Sequence, residues 1–383
     1  MGICKPFSVL GQLLIVVAQL RHCLAKYNTP ANFVFGDSLV DAGNNNYILS
    51  LSKADFDPNG IDFGMPTGRY TNGRTIIDII GQEIGFIGYT PPYLAPTTVG
   101  LTLLQGVNYA SGGGGILNYT GKIFGGRINL DAQIDNFANT REEIISRIGY
   151  ASTENLFRNA MFSVTIGSND FINNYLSLTP FVSSSKAQQQ LVPPQSFVDA
   201  MISRYRDQLK RLYGMGARKI VVANVGPIGC IPFQREINPS AAAGGGAGDG
   251  RCAVLPNQLA QLFNTQLRGL VMELTTNLQG STFIYADVYH IVDDIIQNYS
   301  TYGFENADSA CCYVAGRYGG LIPCGPTSKV CENRSKYVFW DPYHPTDATN
   351  SIIARRLVDG DAADIFPVNI RQLMKSAPFD LIN

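Results

Sequence analysis

Short apolar runs alternate with longer amphipathic stretches along most of the chain. Runs rich in β-branched and aromatic residues occur at Asn32–Phe35, Val107–Ala110, Phe162–Ile166, Lys219–Val225 and Thr282–Asp287, and each runs into Gly, Ser, Asn or Asp. They predict strands that end in turns. Between them, apolar positions recur at helical spacing over Thr75–Ile84, Leu130–Ile148, Ser196–Tyr213 and Pro256–Leu278. Strand and helix alternating in this way predict an α/β fold with a central parallel sheet covered on both faces, because parallel neighbours need a crossover. Ligands in such sheets sit beyond the carboxyl ends of the strands, which directs attention to the residues that terminate them. Leu178–Gln195 and Asn238–Gly250 lack either period and collect Ser, Gln, Pro, Gly and Ala, so they are expected to be loops. No internal repeat is evident.

The N-terminus follows a different pattern. Lys5 precedes an apolar run from Val9 to Leu20, and Cys23-Leu24-Ala25 supplies small residues where a signal peptidase would cut. Residues 1–25 are therefore expected to be a secretory signal, the run being too short for a spanning helix. Residues 26–383 are expected to form a single domain, soluble and outside the cytosol, with no transmembrane segment.

Composition narrows the class. The chain has 383 residues, 45% hydrophobic and 15% charged, with 29 Lys+Arg against 30 Asp+Glu. That apolar content supports a large core and excludes disorder as the dominant state. The near-balance of charge, without a long basic run, gives no footprint for nucleic acid or an anionic membrane surface. Of the 8 cysteines, Cys4 and Cys23 would leave with the signal. Cys230, Cys252, Cys311, Cys312, Cys324 and Cys331 remain, and in an oxidising compartment they are expected to be disulfide-bonded rather than zinc-bound. Cys230 with Cys252, closing the Gly/Ala-rich stretch Ala241–Gly250, is the first pairing expected; the others stay open. Sequons at Asn118, Asn298 and Asn333 make these candidate glycosylation sites in the same compartment.

The chemistry concentrates at strand ends. Phe33-Val34-Phe35-Gly36-Asp37-Ser38 places a serine just beyond an apolar strand, after a glycine that permits a tight turn. A serine there more often caps a helix, so it becomes a nucleophile only with partners. Of the 3 histidines, His22 would leave with the signal. His344 stands three residues after Asp341, between two prolines, as a base beside its orienter. His290 could pair with Asp287, but it opens a helical pattern and reads as a surface histidine. Ser111 followed by Gly112–Gly115 can aim backbone N–H groups at an oxyanion, and Asn169 in Gly167-Ser168-Asn169-Asp170 can donate from its amide. Each is equally ordinary turn chemistry when taken alone. No G-x-S-x-G elbow, H-E-x-x-H or phosphate-binding glycine motif occurs, and no carboxylate pair is singled out for glycoside hydrolysis. No cofactor and no metal are expected.

Together these residues resemble a known family. Phe35-Gly36-Asp37-Ser38-Leu39, Gly113, Gly167-Ser168-Asn169-Asp170 and Asp341-Pro342-Tyr343-His344-Pro345, in that order, are similar to the four blocks of the GDSL (SGNH) hydrolases. Asp41-Ala42-Gly43-Asn44-Asn45-Asn46-Tyr47 and Pro66-Thr67-Gly68-Arg69-Tyr70-Thr71-Asn72-Gly73-Arg74 resemble the plant GDSL esterase/lipase branch. The resemblance spans residue 31 to the C-terminus. It implies a three-layer α/β/α flavodoxin-like fold and a serine esterase acting on lipid acyl esters or acetylated wall polymers, small or polymer-linked. Ser38 would be the nucleophile, His344 the base and Asp341 its orienter, with Ser38, Gly113 and Asn169 forming the oxyanion hole. A plant protein of this kind is expected in the apoplast or cell wall. An extracellular acyltransferase using the same site and an idle wall-binding protein are the alternatives. The complete set of five residues argues against the last.

Overall fold

The computed structural model describes residues 31–177, 192–238 and 252–376. In chain order its strands are β1 (Asn32–Gly36), β2 (Met161–Thr165), β3 (Lys219–Ala223), β4 (Thr282–Ala286), β5 (Asn306–Ala310), β6 (Cys312–Tyr313), β7 (Lys329–Val330), β8 (Tyr337–Phe339) and β9 (Ile365–Phe366). The main sheet runs β1-β2-β3-β4-β9. Its first four strands are parallel, and β1 and β3 are buried at every position, as expected for strands covered on both faces.

Two features go beyond the expected strands of the central parallel sheet. β9 pairs antiparallel with β4 at the sheet edge, over only Tyr285 with Phe366 and Ala286 with Ile365. Val107–Ala110 forms no regular strand, yet it lies parallel to β1. Val34 N–H donates to the Val107 carbonyl at 3.0 Å, and Tyr109 N–H donates to the Val34 carbonyl at 2.7 Å. Ser111 N–H donates to the Gly36 carbonyl at 3.1 Å, but the Gly36 N–H goes to Gln133 Oε1 instead of this segment, which interrupts the ladder. Counting this segment second in chain order, the parallel part of the sheet reads 2-1-3-4-5, the flavodoxin-like order. Its direction reverses beside β1, so the crevice there lies just past Gly36.

The expected helices form as Ile76–Glu83, Leu130–Ile148, Pro194–Gly214 and Val254–Asn277. Pro194 occupies the first helical turn, where its missing N–H costs nothing, so Pro194 and Gln195 belong to a helix and not to the predicted loop. Leu130–Ile148, Pro194–Gly214 and Val254–Asn277 pack side by side on one face of the sheet, while Ile76–Glu83, Val288–Gln297 and Asp347–Asp359 cover the other. This is the three-layer α/β/α arrangement. Phe33 anchors the first interface: its ring centroid lies 5.4, 5.3 and 5.0 Å from those of Phe137, Phe157 and Phe162.

Cys230 pairs with Cys252, as expected, and Cys311 with Cys331 and Cys312 with Cys324 complete the disulfides. The latter two pack with the fully buried Trp340 in a small second core. The expected signal at 1–25 and the stretches 178–191 and 239–251 of the predicted loops lie outside the described residues. Among the described residues no helix is long and apolar enough to cross a membrane.

Candidate active site

Ser38, Gly113 and Asn169 follow β1, the Val107–Ala110 segment and β2, and Asp341 and His344 follow β8. The fold brings all five to one cavity of about 210 Å³ at the carboxyl edge of the sheet. β1 and β2 approach closely there. A Cβ on Gly36 would lie 2.4 Å from the Thr165 carbonyl, so only glycine lets the chain turn from strand to Ser38 against β2.

His344 Nε2 lies 2.8 Å from Ser38 Oγ, and its Nδ1 lies 2.8 Å from both Asp341 carboxylate oxygens. Both residues are buried, with His344 7% and Asp341 5% exposed. The carboxylate is fixed in turn. Asp341 Oδ1 accepts the N–H groups of Tyr343 and His344, each at 2.8 Å. The loop is pinned from outside by Phe233 N–H, which donates to the Pro342 carbonyl at 3.0 Å, and by Thr71 Oγ1, which donates to the Pro345 carbonyl at 3.0 Å. Trp340, one residue before Asp341, donates from its indole to Asn59 Oδ1. A hydroxyl bonded to an imidazole that is oriented by a carboxylate can lose its proton as it attacks a carbonyl.

Donors face the same cavity. The backbone N–H groups of Ser38 and Gly113 have no partner among the described residues. Gly113 has φ +81°, a left-handed conformation, and a Cβ there would lie 2.6 Å from the Phe124 ring. Asn169 donates one amide N–H to the Gly114 carbonyl at 2.9 Å, while Asn173 Nδ2 donates to Asn169 Oδ1 at 2.5 Å. With the oxygen side engaged, the other Asn169 N–H is left for the cavity.

The glycine loop is held by buried carboxylates. Asp41 accepts the Gly112 N–H at 3.0 Å as well as those of Gly43 and Asn44. Asp170 accepts the N–H groups of Ile116 and Leu117 at 2.9 and 3.0 Å and the Thr120 hydroxyl at 2.7 Å. Gln133 clamps Gly36 by accepting its N–H at 2.9 Å and donating to its carbonyl at 2.7 Å. Burial pushes Asp41 and Asp170 up to about 6 despite these donors. It pushes Asp37, beside the nucleophile, up to about 7, against the pull of the Leu39 N–H and His344. Asp37 Oδ2 is buried without a partner among the described residues, so no hydrogen bond to it offsets the burial.

His290 lies elsewhere. It is half exposed at the start of the helix Val288–Gln297, 3.9 Å from Asp364, and does not line the cavity. The three sequon asparagines, Asn118, Asn298 and Asn333, are exposed. Asp41, Asn173 and Gln133 were not singled out from sequence as part of the site. Only Asn173, one helical turn after Asn169, carried a spacing that points to it. Among the described residues, no cluster of His, Cys, Asp or Glu could hold a metal ion.

The chain belongs to the GDSL-like lipase/acylhydrolase family, whose model matches residues 33–357, and this makes it by class a carboxylic-ester hydrolase. Among its relatives, GDSL esterase/lipase At4g16230 of Arabidopsis thaliana is 64% identical over 351 residues, 92% of each chain. GDSL esterase/lipase At3g50400 of the same plant is 52% identical over 349 residues, 90% of each chain.

Proposed function

We propose that the protein is a secreted serine esterase that works through an acyl-enzyme on Ser38. The observation that carries this is the continuous relay Asp341–His344–Ser38, two bonds of 2.8 Å, facing N–H groups that have no partner among the described residues. His344 takes the Ser38 proton as Oγ attacks the ester carbonyl. The oxyanion is received by the Ser38 and Gly113 N–H groups and the Asn169 amide, and the alcohol leaves with the proton from His344. Water, deprotonated by His344, then releases the acid. Ile172, Ile228, Ile231, Val288 and Val292 wall the cavity beside Ser38, which favours a hydrocarbon acyl group over acetylated wall polysaccharide. Secretion, cleavage near residue 25, glycan at Asn118, Asn298 or Asn333 and one domain over 26–383 belong to the same reading. Three disulfides support an oxidising destination.

A fluorophosphonate probe followed by peptide mapping tests the nucleophile without knowledge of the substrate. Label is expected on Ser38, lost in Ser38→Ala and His344→Ala, and retained in His290→Ala. Label on another serine, or equal loss in His290→Ala, would overturn the assignment.

A further inference from the structure

Two leucines at the mouth of the cavity stand in solvent. Leu49 is 96% and Leu51 81% exposed, although burying such side chains is what ordinarily drives a chain to fold. They lie two residues apart in a segment held by an antiparallel bridge between Ser50 and Gly125. Leu51 N–H donates to the Phe124 carbonyl and Gly126 N–H to the Leu49 carbonyl, each at 2.9 Å, so the exposure is held by backbone pairing and is not the fraying of a loose end. In an extended segment residues at that spacing share a face. Ile123 and Tyr47, 40% and 49% exposed, come from the paired loop and the preceding turn. Leu51 and Phe124 also line the cavity that contains Ser38. The exposed patch and the catalytic cavity therefore share walls.

We propose that this rim docks the enzyme on a lipid surface, with Tyr47, Leu49, Leu51 and Ile123 entering the apolar layer and the ester passing between Leu51 and Phe124 toward Ser38. Apolar patches of this kind mark interaction sites, and membrane-surface binding grows with the apolar area inserted. The position selects the occupant. A protein seated on the rim would cover the mouth through which substrate reaches Ser38, whereas a lipid surface presents the substrate itself. Contact here is mainly apolar, although Lys122, beside Ile123, is exposed. The Lys53 ammonium, next along the segment, donates to the carbonyls of Asn45 and Asn46 at 2.7 and 3.2 Å and faces Asp55 at 3.8 Å. Neutral phosphatidylcholine should thus serve nearly as well as anionic lipid. The proposal rests on the esterase reading for the choice of a lipid surface as occupant and for the direction of substrate entry, and not for the exposed rim itself.

Binding is measured without turnover, by sedimenting the Ser38→Ala chain from a secretory host with phosphatidylcholine vesicles. The test variant is Leu49→Asp with Ile123→Asp, neither of which lines the cavity. Its vesicle partition is expected to fall about tenfold or more, the scale of lost apolar insertion. In the otherwise native chain, the same pair should lower kcat/KM on emulsified triacylglycerol and leave it unchanged on dissolved p-nitrophenyl acetate. Leu49→Trp should tighten vesicle binding, since an aromatic ring suits the lipid–water boundary. Absence of vesicle binding by the Ser38→Ala chain, or partition unchanged in both variants, would overturn the proposal. So would loss of a dimer in the aspartate variant with no change in vesicle binding, which would give the rim to a second copy of the chain. Vesicle binding in a protein whose native form cleaves no ester would sustain the rim and remove the esterase reading.

Discussion

At the scale of single residues, Asn169 shows how one side chain serves two purposes. One N–H ties it to Gly114 and the other is free for the cavity, and this orientation depends on Asn173 engaging the amide oxygen. Asn169→Ala should fold normally and lower kcat by roughly 100–1,000-fold, the cost of one oxyanion donor. Asn173 touches no reacting atom, so it is a positioning residue. Asn173→Ala should lower kcat by only about tenfold, a fraction of that oxyanion term, and leave KM unchanged. Asn173→Asp should be worse, because a carboxylate would face the Asn169 oxygen with no proton to offer. Steady-state kinetics on a soluble ester separates the cases, and an Asn173→Ala enzyme with native kcat would remove the role. Ser38, His344 and Asp341 were legible in sequence because each ends an apolar strand or stands in a Pro-bounded triplet. Asn173 carried the right spacing, one helical turn after Asn169, but nothing in the sequence marks its amide as the partner of Asn169 Oδ1 rather than of solvent.

At the scale of elements, the glycine loop between Ser111 and Leu117 has almost no side chains with which to hold itself, and the two carboxylates at its ends supply the grip. Asp170 belongs to the turn that follows β2 and Asp41 to the one that follows β1, so loop and nucleophile are referred to the same pair of strands. Asp170→Asn keeps the shape but turns an acceptor toward a donor: one amide edge would carry N–H groups facing the N–H of Ile116 or Leu117 or the Thr120 hydroxyl. The variant should lose about 1–3 kcal/mol in a urea titration, the usual cost of an unmet buried hydrogen bond. Turnover should fall with it, because Gly113 would no longer be held to its place. Unchanged stability would mean that the loop is held by its own turns. Such contacts lie 50 or more residues apart in sequence, which is why this element was legible as glycine-rich and strand-following but its attachment was not. The long helices carried a periodic signal, and the parallel strands, buried on both faces, a continuous apolar run. The edge strand β9 is too short to carry either, and Val107–Ala110 was legible as a strand, whereas the Gln133 clamp on Gly36 that breaks its ladder was not.

At the scale of the whole molecule, the same carboxylates set how stability responds to pH. Burial raises Asp37 to about 7 and Asp41 and Asp170 to about 6 from the ordinary 3.8. Between those values the folded chain holds protons that the unfolded chain releases, so ν is larger in the native state and stability declines as pH rises through the window. Their contribution is full near pH 4 and gone above about 7. Paired carboxylates act in the opposite sense. Arg206 holds Glu273 below its ordinary range, Tyr302 does so for Asp294, and Arg371 for Asp359, and stability from these is lost only as pH falls below about 4. They lie near the surface, where solvent screens them, so the three buried aspartates dominate between pH 5 and 7.5. The melting temperature should therefore be higher at pH 5 than at pH 7.5, and the difference should shrink in Asp37→Asn, which removes the group with the widest window. A melting temperature that falls steadily on acidification from 7.5 to 5 would mean that these aspartates are ionised in the fold. Activity measured on the same samples adds a second readout. Turnover lost at pH 5 while the melting temperature rises would assign the loss to titration of the reacting groups and not to unfolding, separating the chemistry of the Ser38 cavity from the stability of the sheet that carries it.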